Sequence, residues 1–315
     1  MSVQLVTNLA DLRDIVPAWD VLARHSLEPN VFYESWMLQA ALEQFDTGRV
    51  AVWLMWEDSS HARLLGLMPL VREHNYYKCP ACHWSNWVYT NCPVGTPLIH
   101  RQCPERVLLA LFDWLGEIGA TVFSLQNVAA DGGFFQCLET LQREHGLLLD
   151  VSQSWQRLLQ HDFTSIATVK SQSLLPGEVR YLEQWMREFV SLEQGGWKGW
   201  RQTLTAYPSP QQAFMEDVMR AAALYGQLMM VKLTLHDELI ALSLHVTGAA
   251  QGVFTLQAAY NAAYADVITA ATTDTTHQRQ MSTLHLSTSH RFSKPLMHTV
   301  RMAKSVYRYC TSSQH

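Results

Sequence analysis

"SPQQAFMEDVMRAAALYGQLMMVKLTLHDELIALSLHVTGAAQGVFTLQAAY", residues 209–260, sets one helical pattern ahead of three strand-like runs. Ser209 stands before Pro210, the pairing of an N-cap with a first-turn proline, and apolar residues then recur at helical spacing up to Gly226. "QLMMVKLTL", "LIALSLHV" and "GVFTLQAAY" read as strands, joined by the short connections "HDE" and "TGAAQ". A helix feeding an antiparallel meander predicts an α/β fold of the α+β kind, with helices laid against a mixed, mainly antiparallel sheet.

Working outward, "GEVRYLEQWMREFVSLEQ" carries a helical period and runs into Gly195-Gly196-Trp197-Lys198-Gly199. Two readings of that run stand side by side. Glycine just past a helix forms a cap in the left-handed conformation. Alternatively, glycines let backbone approach a ligand, Trp197 offers an apolar wall, and Lys198 offers a cation for a carboxylate or phosphate. Nearer the N-terminus, "DLRDIVPAWDVLARHS" reads as one helix in spite of Pro17, and "VAVWLMWED" with "ARLLGLMPLVRE" as a hairpin. Residues 76–100 show neither period. "PERVLLALFDWLGEIG", "ATVFSLQNV" and "GGFFQCLETLQREHG" then read as helix, strand and helix. The first unit closes near residue 160, giving expected domains of 1–160 and 161–315.

Composition bounds the function. The chain has 315 residues, 48% of them hydrophobic and 16% charged, enough apolar material for packed cores. A net charge of -5 and a pI of about 6.3 give no general basic surface for nucleic acid or anionic membrane. The start "MSVQLVTNLADLRD" lacks a secretory pattern, and no apolar run approaches the ~18 residues of a spanning helix, so a cytoplasmic protein without an integral membrane segment is expected. Cysteines 79, 82, 92, 103, 137 and 310 are then reduced thiols. "CPACH", residues 79–83, has no second close-spaced pair, and the histidines show no His-Glu-x-x-His spacing, so no metal is expected.

Several segments, taken in order, carry a resemblance. "WDVLARHSLEPNVFYESWML", "LLGLMPLVRE", "FSLQNVAADGGFFQCLETLQREHG" and "FVSLEQGGWKG" are similar to the acetyltransferase family associated with cellulose and exopolysaccharide biosynthesis, a branch of the GNAT superfamily whose architecture resembles the FemAB peptidyl transferases. The resemblance covers the first 266 residues. It implies two GNAT-like units in tandem, acetyl-CoA or another acyl-CoA as co-substrate, a sugar, polysaccharide precursor or small metabolite as acceptor, and association with a polysaccharide-synthesis machinery. It also places Glu193, Trp197, Lys198 and Gly199 on the family's best-marked motif. Past the third meander strand the sequence departs from the pattern: Gln257 stands for a Lys, Asn261 for an Asp, Ala262 for a Glu and Ile268-Thr269-Ala270 for Ser-Pro-Gly, while Tyr260 keeps its place. In such folds the acyl-CoA pyrophosphate sits on backbone N–H groups where the next helix opens, here "DVITAATTD".

The expected reaction is direct attack of an amine or hydroxyl on an acyl thioester, with a base taking the proton and no covalent enzyme intermediate. Glu193 and His245 are the candidate bases. Alternation puts Ser243 and His245 on one face of their strand, and Thr255 and Gln257 on one face of the next, a polar stripe fit for a cleft wall. His245 reads equally as a strand-end histidine facing solvent, and Glu193 as a helix-surface carboxylate. The lost pattern residues suit a second function, a non-catalytic relative serving as a binding or assembly subunit; aminoacyl transfer of the FemAB kind is a third. From Ile268 onward the 48 residues contain no Gly, Glu, Trp or Asn but five His and sixteen Ser or Thr, a break that marks either a diverged terminal helix or a shifted reading frame.

Overall fold

The computed structural model describes residues 2–73, 82–145, 148–158, 162–163, 169–174, 178–195, 209–250, 252–273 and 278–287. In chain order these form β1 (Ser2–Val6), α1 (Leu9–Asp14), α2 (Val16–Arg24), α3 (Ser35–Phe45), β2 (Val50–Trp56), β3 (Leu64–Glu73), β4 (His83–Asn86), β5 (Leu98–Ile99), α4 (Pro104–Glu117), β6 (Val122–Ala129), α5 (Gly133–His145) and β7 (Leu148–Leu158). They continue as β8 (Asp162–Phe163), β9 (Val169–Leu174), α6 (Leu182–Gly195), α7 (Pro210–Leu224), β10 (Leu228–Leu235), β11 (Glu238–Thr247), β12 (Val253–Tyr260), α8 (Ala265–Ala271), β13 (Thr272–Thr273) and β14 (Gln278–Ser287). The architecture is mixed α/β, with mainly antiparallel sheets flanked by helices.

Two compact units share these elements. One takes in the chain up to Tyr33, then Asp46–Gln156 and the chain from Gln280; the other takes in Glu34–Phe45 and Arg157–Arg279. The chain therefore passes between units at 33/34, 45/46, 156/157 and 279/280, where a single division at 160/161 was expected. Side chains explain both exchanged pieces. In the second unit, α3 meets α7 through Phe45 on Phe214, ring centroids 4.9 Å apart, and through Gln44 donating to Asp217 at 3.3 Å. The buried Glu34 carboxylate just before α3 accepts from the Ala249 N–H, in the β11–β12 connection, at 2.6 Å. In the first unit, β14 lies between β6 and β7, and its Leu284 and Leu286 join Phe123 and Leu125 in the core. The composition break at Ile268 is thus followed by a strand with a proper apolar face. The terminal helix read over residues 294–309 lies outside the described residues.

The first unit's sheet runs β1-β2-β3-β4-β6-β14-β7, with β5 beside β3. The expected hairpin of β2 and β3 pairs from Val50↔Val71 to Trp56↔Leu64. Pro17 divides the expected single helix into α1 and α2, entering α2 in its first turn, where a missing N–H costs nothing. Leu108, Leu111 and Leu115 of α4 and Phe134, Leu138 and Leu141 of α5 pack on Leu70, Phe123, Leu125 and Leu284. Each such burial contributes about 1.5–3 kcal/mol.

The N-terminus of α5 carries its own anion. The buried Glu28 carboxylate accepts from the Phe134 N–H at 2.7 Å, satisfying a donor that the helix leaves open and placing negative charge at its positive end. Gly132 makes room for it, because a Cβ there would fall well inside contact with the Glu28 carboxylate. We expect Gly132→Ala to lower unfolding free energy by about 2–4 kcal/mol, by the mechanism of overpacking around a buried charge. Glu28→Ala with Gly132→Ala should cost less than the sum of the two single changes; strict additivity in urea titrations refutes the contact.

His100, buried in the same unit, accepts a hydrogen bond at Nε2 from the Arg63 guanidinium at 2.9 Å. That bond requires a neutral ring, so Nδ1 carries the proton and the Gln102 N–H at 3.3 Å from Nδ1 is only a contact. Burial, then Arg63, hold the imidazole below its ordinary 6.5. The unfolded chain binds this proton more readily, so the contribution is present above pH 6.5 and lost as pH falls through the folded value. We expect Tm to fall on acidification from pH 7.5 to about pH 5, and His100→Gln, which keeps an acceptor for Arg63, to flatten that fall. An unchanged slope would refute the assignment.

Candidate functional site

The second unit's sheet runs β12-β11-β10-β9, antiparallel throughout, and capped α7 leads into it. Ser209 caps α7 in a reciprocal box with Gln212. Along β11 the residues Leu242, Leu244 and Val246 take one face and Ser243 and His245 the other, as a two-residue period demands. His245 pairs across the sheet with Thr255 of β12, so three polar side chains meet. Ser243 Oγ lies 2.7 Å from His245 Nε2, and Thr255 Oγ1 lies 3.1 Å from His245 Nδ1.

The partners select a tautomer. The only other acceptor near the Ser243 hydroxyl among these contacts, the Val231 carbonyl, is 3.5 Å away, so Ser243 donates to Nε2 and the Nδ1–H donates to Thr255. The imidazole is thus held on both sides, by Ser243 at one nitrogen and by Thr255 at the other. Ser243 and His245 are 0% and 1% exposed, which removes the solvent-facing reading of His245.

Gln257 does not join them. The register slips between Leu244 and His245, leaving Leu256 as an extra residue, so Thr255 sits opposite His245 while Gln257 sits opposite Leu244. The expected stripe over Thr255 and Gln257 is broken by this bulge, since one inserted residue turns every later side chain to the other face. The face that carries Leu242 and Leu244 also carries Lys232 of β10. Lys232 pairs with Glu188 of α6 at 3.2 Å and lies 4.6 Å over the Trp185 ring, half-buried, a site that sequence reading missed. Tyr260, opposite Ala241 at the end of β12, is 44% exposed.

Beyond β12, Asn261 Oδ1 accepts from the Ala263 N–H at 3.0 Å and opens a 3-10 turn over Ala262–Tyr264. The Tyr264 N–H is used as well, by the Asn261 carbonyl. Asp266–Ala271 lie inside α8, the helix expected to open here. The Ala263 and Tyr264 amides are consumed within the turn, so these two do not offer a pyrophosphate cradle. Tyr264 donates to Glu238 at 2.7 Å, which raises its hydroxyl above the ordinary value.

Glu193 falls within α6, which extends through Gly195. Its side chain, and Trp197, Lys198 and Gly199 entirely, lie outside the described residues. Cys82, Cys92, Cys103 and Cys137 are free thiols, and burial pushes Cys137 up to about 11. Cys79 and Cys310 lie outside the described residues, among which no group of three or more His, Cys, Asp or Glu is placed to hold a metal.

The first unit holds a second imidazole and hydroxyl cluster. Ser124 of β6 lies 2.8 Å from His83 Nε2 of β4 and 2.7 Å from His285 Nδ1 of β14. Register pairs Ser85 with Ser124 and Ser124 with His285, on the face opposite Trp84, Phe123 and Leu284. The signal was present as alternation in "HWSN", "FSLQ" and "TLHLS".

No protein-family model matches the chain, and no curated protein matches it. Solved structures do resemble it, GNAT acetyltransferases among them. A conserved protein of unknown function from Bacteroides thetaiotaomicron aligns with TM-score 0.47 at 10% identity, over 89% of this chain and 97% of that one. A tandem GNAT protein from the clavulanic acid biosynthesis pathway aligns with TM-score 0.38 at 10% identity, over 91% and 99%. A ribosomal-protein-alanine N-acetyltransferase from Brucella melitensis aligns with TM-score 0.29 at 9% identity, over 50% and 88%. No helix among the described residues is long and apolar enough to cross a membrane.

Thr255→Val removes an acceptor from a buried imidazole. We expect it to cost about 1–3 kcal/mol of unfolding free energy, while Thr255→Ser stays within about 1 kcal/mol of the parent. Equal stability of all three proteins in urea would show that Thr255 does not hold the ring.

Proposed function

We propose that the chain is an acyltransferase that moves an acyl group, acetyl in the simplest case, from acyl-CoA to an amine or hydroxyl of a sugar, polysaccharide precursor or other small metabolite. The observation that carries this reading is His245, held by Ser243 on its own strand and by Thr255 on the next. As the acceptor nitrogen or oxygen bonds to the thioester carbonyl, its proton passes to Ser243 Oγ while Ser243 gives its own to His245 Nε2, and CoA leaves as a thiolate that takes that proton to become the free thiol. Ser243 and Thr255 fix the ring, and protonation of a correctly placed imidazole contributes on the order of 100- to 10,000-fold in rate. Glu193 is the alternative base. Trp197, Lys198 and Gly199 serve as apolar wall, cation and point of close backbone approach for the anionic substrate, with Tyr260, paired with Ala241 on the Ser243 face, as a further polar contact. The ordered resemblance of the first 266 residues supports the donor.

The complete burial of Ser243 and His245 favours a second reading, in which the same fold binds a ligand or partner without turnover. One experiment separates them. Release of CoA thiol from acetyl-CoA is followed with amino-sugar and sugar acceptors, alongside calorimetric binding of acetyl-CoA. Transfer requires that His245→Asn lower kcat by about 100-fold or more at unchanged acetyl-CoA Kd. Binding without thiol release in the parent protein leaves the second reading. Lys198→Ala should weaken acetyl-CoA by about tenfold while leaving Tm unchanged, the effect of removing a cation that serves the anionic ligand and not the core.

A further inference from the structure

A groove in the second unit lies apart from the His245 face. Helices α6 and α7 each turn one stripe towards the other: Glu183, Met186, Arg187 and Val190 on α6, and Glu216, Met219, Arg220 and Leu224 on α7. Facing helices normally interdigitate at 8–10 Å between axes. Here a cavity of about 890 Å³ separates the stripes, within the usual size of a small-molecule site.

Its chemistry is divided. The floor is apolar, with Leu182, Met219 and Ala223 buried beneath it. Leu224 at the lip is 83% exposed and Val190 39%, so apolar surface is left uncovered along the opening. Three guanidinium groups surround it, on Arg180, Arg187 and Arg220. Glu183 and Glu216 answer Arg187 and Arg220 only at 4.0 Å, in exposed pairs of small worth. Arg180 lies 4.6 Å over the Tyr181 ring, a geometry that leaves its N–H edge for an anion. Within the groove three cations stand against two carboxylates.

We infer that this groove binds an amphipathic organic anion, a carboxylate or phosphate carried on an unbranched alkyl body. The head group takes the Arg180 and Arg220 guanidinium forks, and the chain covers Met186, Met219 and Leu224. A carboxylate and a phosphate present the same paired oxygens to arginine, and an alkyl chain is the body that a methionine-lined floor accommodates. The site is independent of the acyl-transfer reading.

The test is calorimetric titration of the full chain with decanoate, decyl phosphate and decanol, each below its micellar concentration. Both anions should bind, and decanol should bind about tenfold or more weakly, the worth of one charge-assisted contact. Arg180→Gln with Arg220→Gln should remove the preference for the anions, and Leu224→Ser should weaken all three, each at unchanged Tm. Tighter decanoate or tighter decyl phosphate sustains the inference and names the head group. Equal affinity for decanol, or anion affinity untouched by the arginine changes, overturns it. His245→Asn should leave this binding intact, so loss of acyl transfer and loss of groove binding are read separately.

Discussion

The first unit depends on one parallel pairing. β4 and β6 run side by side from His83↔Val122 to Ser85↔Ser124, between antiparallel neighbours β3 and β14. Parallel strands need a crossover, and α4 supplies it while burying Leu108, Leu111 and Leu115 on the sheet. After Ser85 and Ser124 the two strands part, and backbone groups lose their ladder partners. Asn86 replaces them: its amide donates to the carbonyls of Gln126 at 3.0 Å and Gly95 at 2.8 Å, and accepts from the Gln126 N–H at 2.8 Å. Gly95 is required because a Cβ would drive into the Gln126 carbonyl. Asn127 then adopts φ 55°, a left-handed turn that Asn tolerates, and passes its own amide to the Cys92 carbonyl at 2.9 Å. The parting of the strands is thus filled by the chain itself, with every group named here satisfied.

The same rule shapes both sheets. Burying a hydroxyl or imidazole without a partner costs several times what a made hydrogen bond returns, so such groups gather where register brings them together. His83, Ser124 and His285 come from three strands that are distant in sequence and adjacent in the sheet. Ser243, His245 and Thr255 come from a hairpin. In each case the opposite face of the same strands carries leucine and phenylalanine, so the two-residue period does the sorting.

That period is also what made the fold legible. The β2–β3 hairpin, the α7 cap and the β10–β12 meander were readable because each depends on neighbours within a few tens of residues. The pairing of β6 with β14 was not: 163 positions separate Phe123 from Leu286, and "MSTLHLS" alone looks like a polar, serine-rich tail. Pro17 was visible but underweighted, its ring and missing N–H being decisive against a continuous helix. The bulge at Leu256 leaves no mark in composition, so alternation alone puts Gln257 on the face of Thr255, one residue out of step with the sheet. Asn261 is the converse: its cap is local, an amide oxygen accepting from the N–H two residues on, and a short polar residue after a strand signals such a turn.

The two clusters differ in what they can do with a proton. In the first unit Ser124 has one hydrogen and stands between two rings, so one ring donates to it and the other accepts. One added proton would turn both facing ring nitrogens into donors on one oxygen and turn the serine hydrogen away from its ring acceptor. In the second unit the ring stands between two hydroxyls. Protonated His245 donates from Nε2 to Ser243 and from Nδ1 to Thr255, and the Ser243 hydrogen turns towards the Val231 carbonyl, already 3.5 Å away. The first arrangement ties three strands together through one hydroxyl; the second ties a hairpin together through one ring. What decides the difference is which group stands in the middle: a hydroxyl, with one hydrogen to share between two rings, or a ring, with two nitrogens for two hydroxyls.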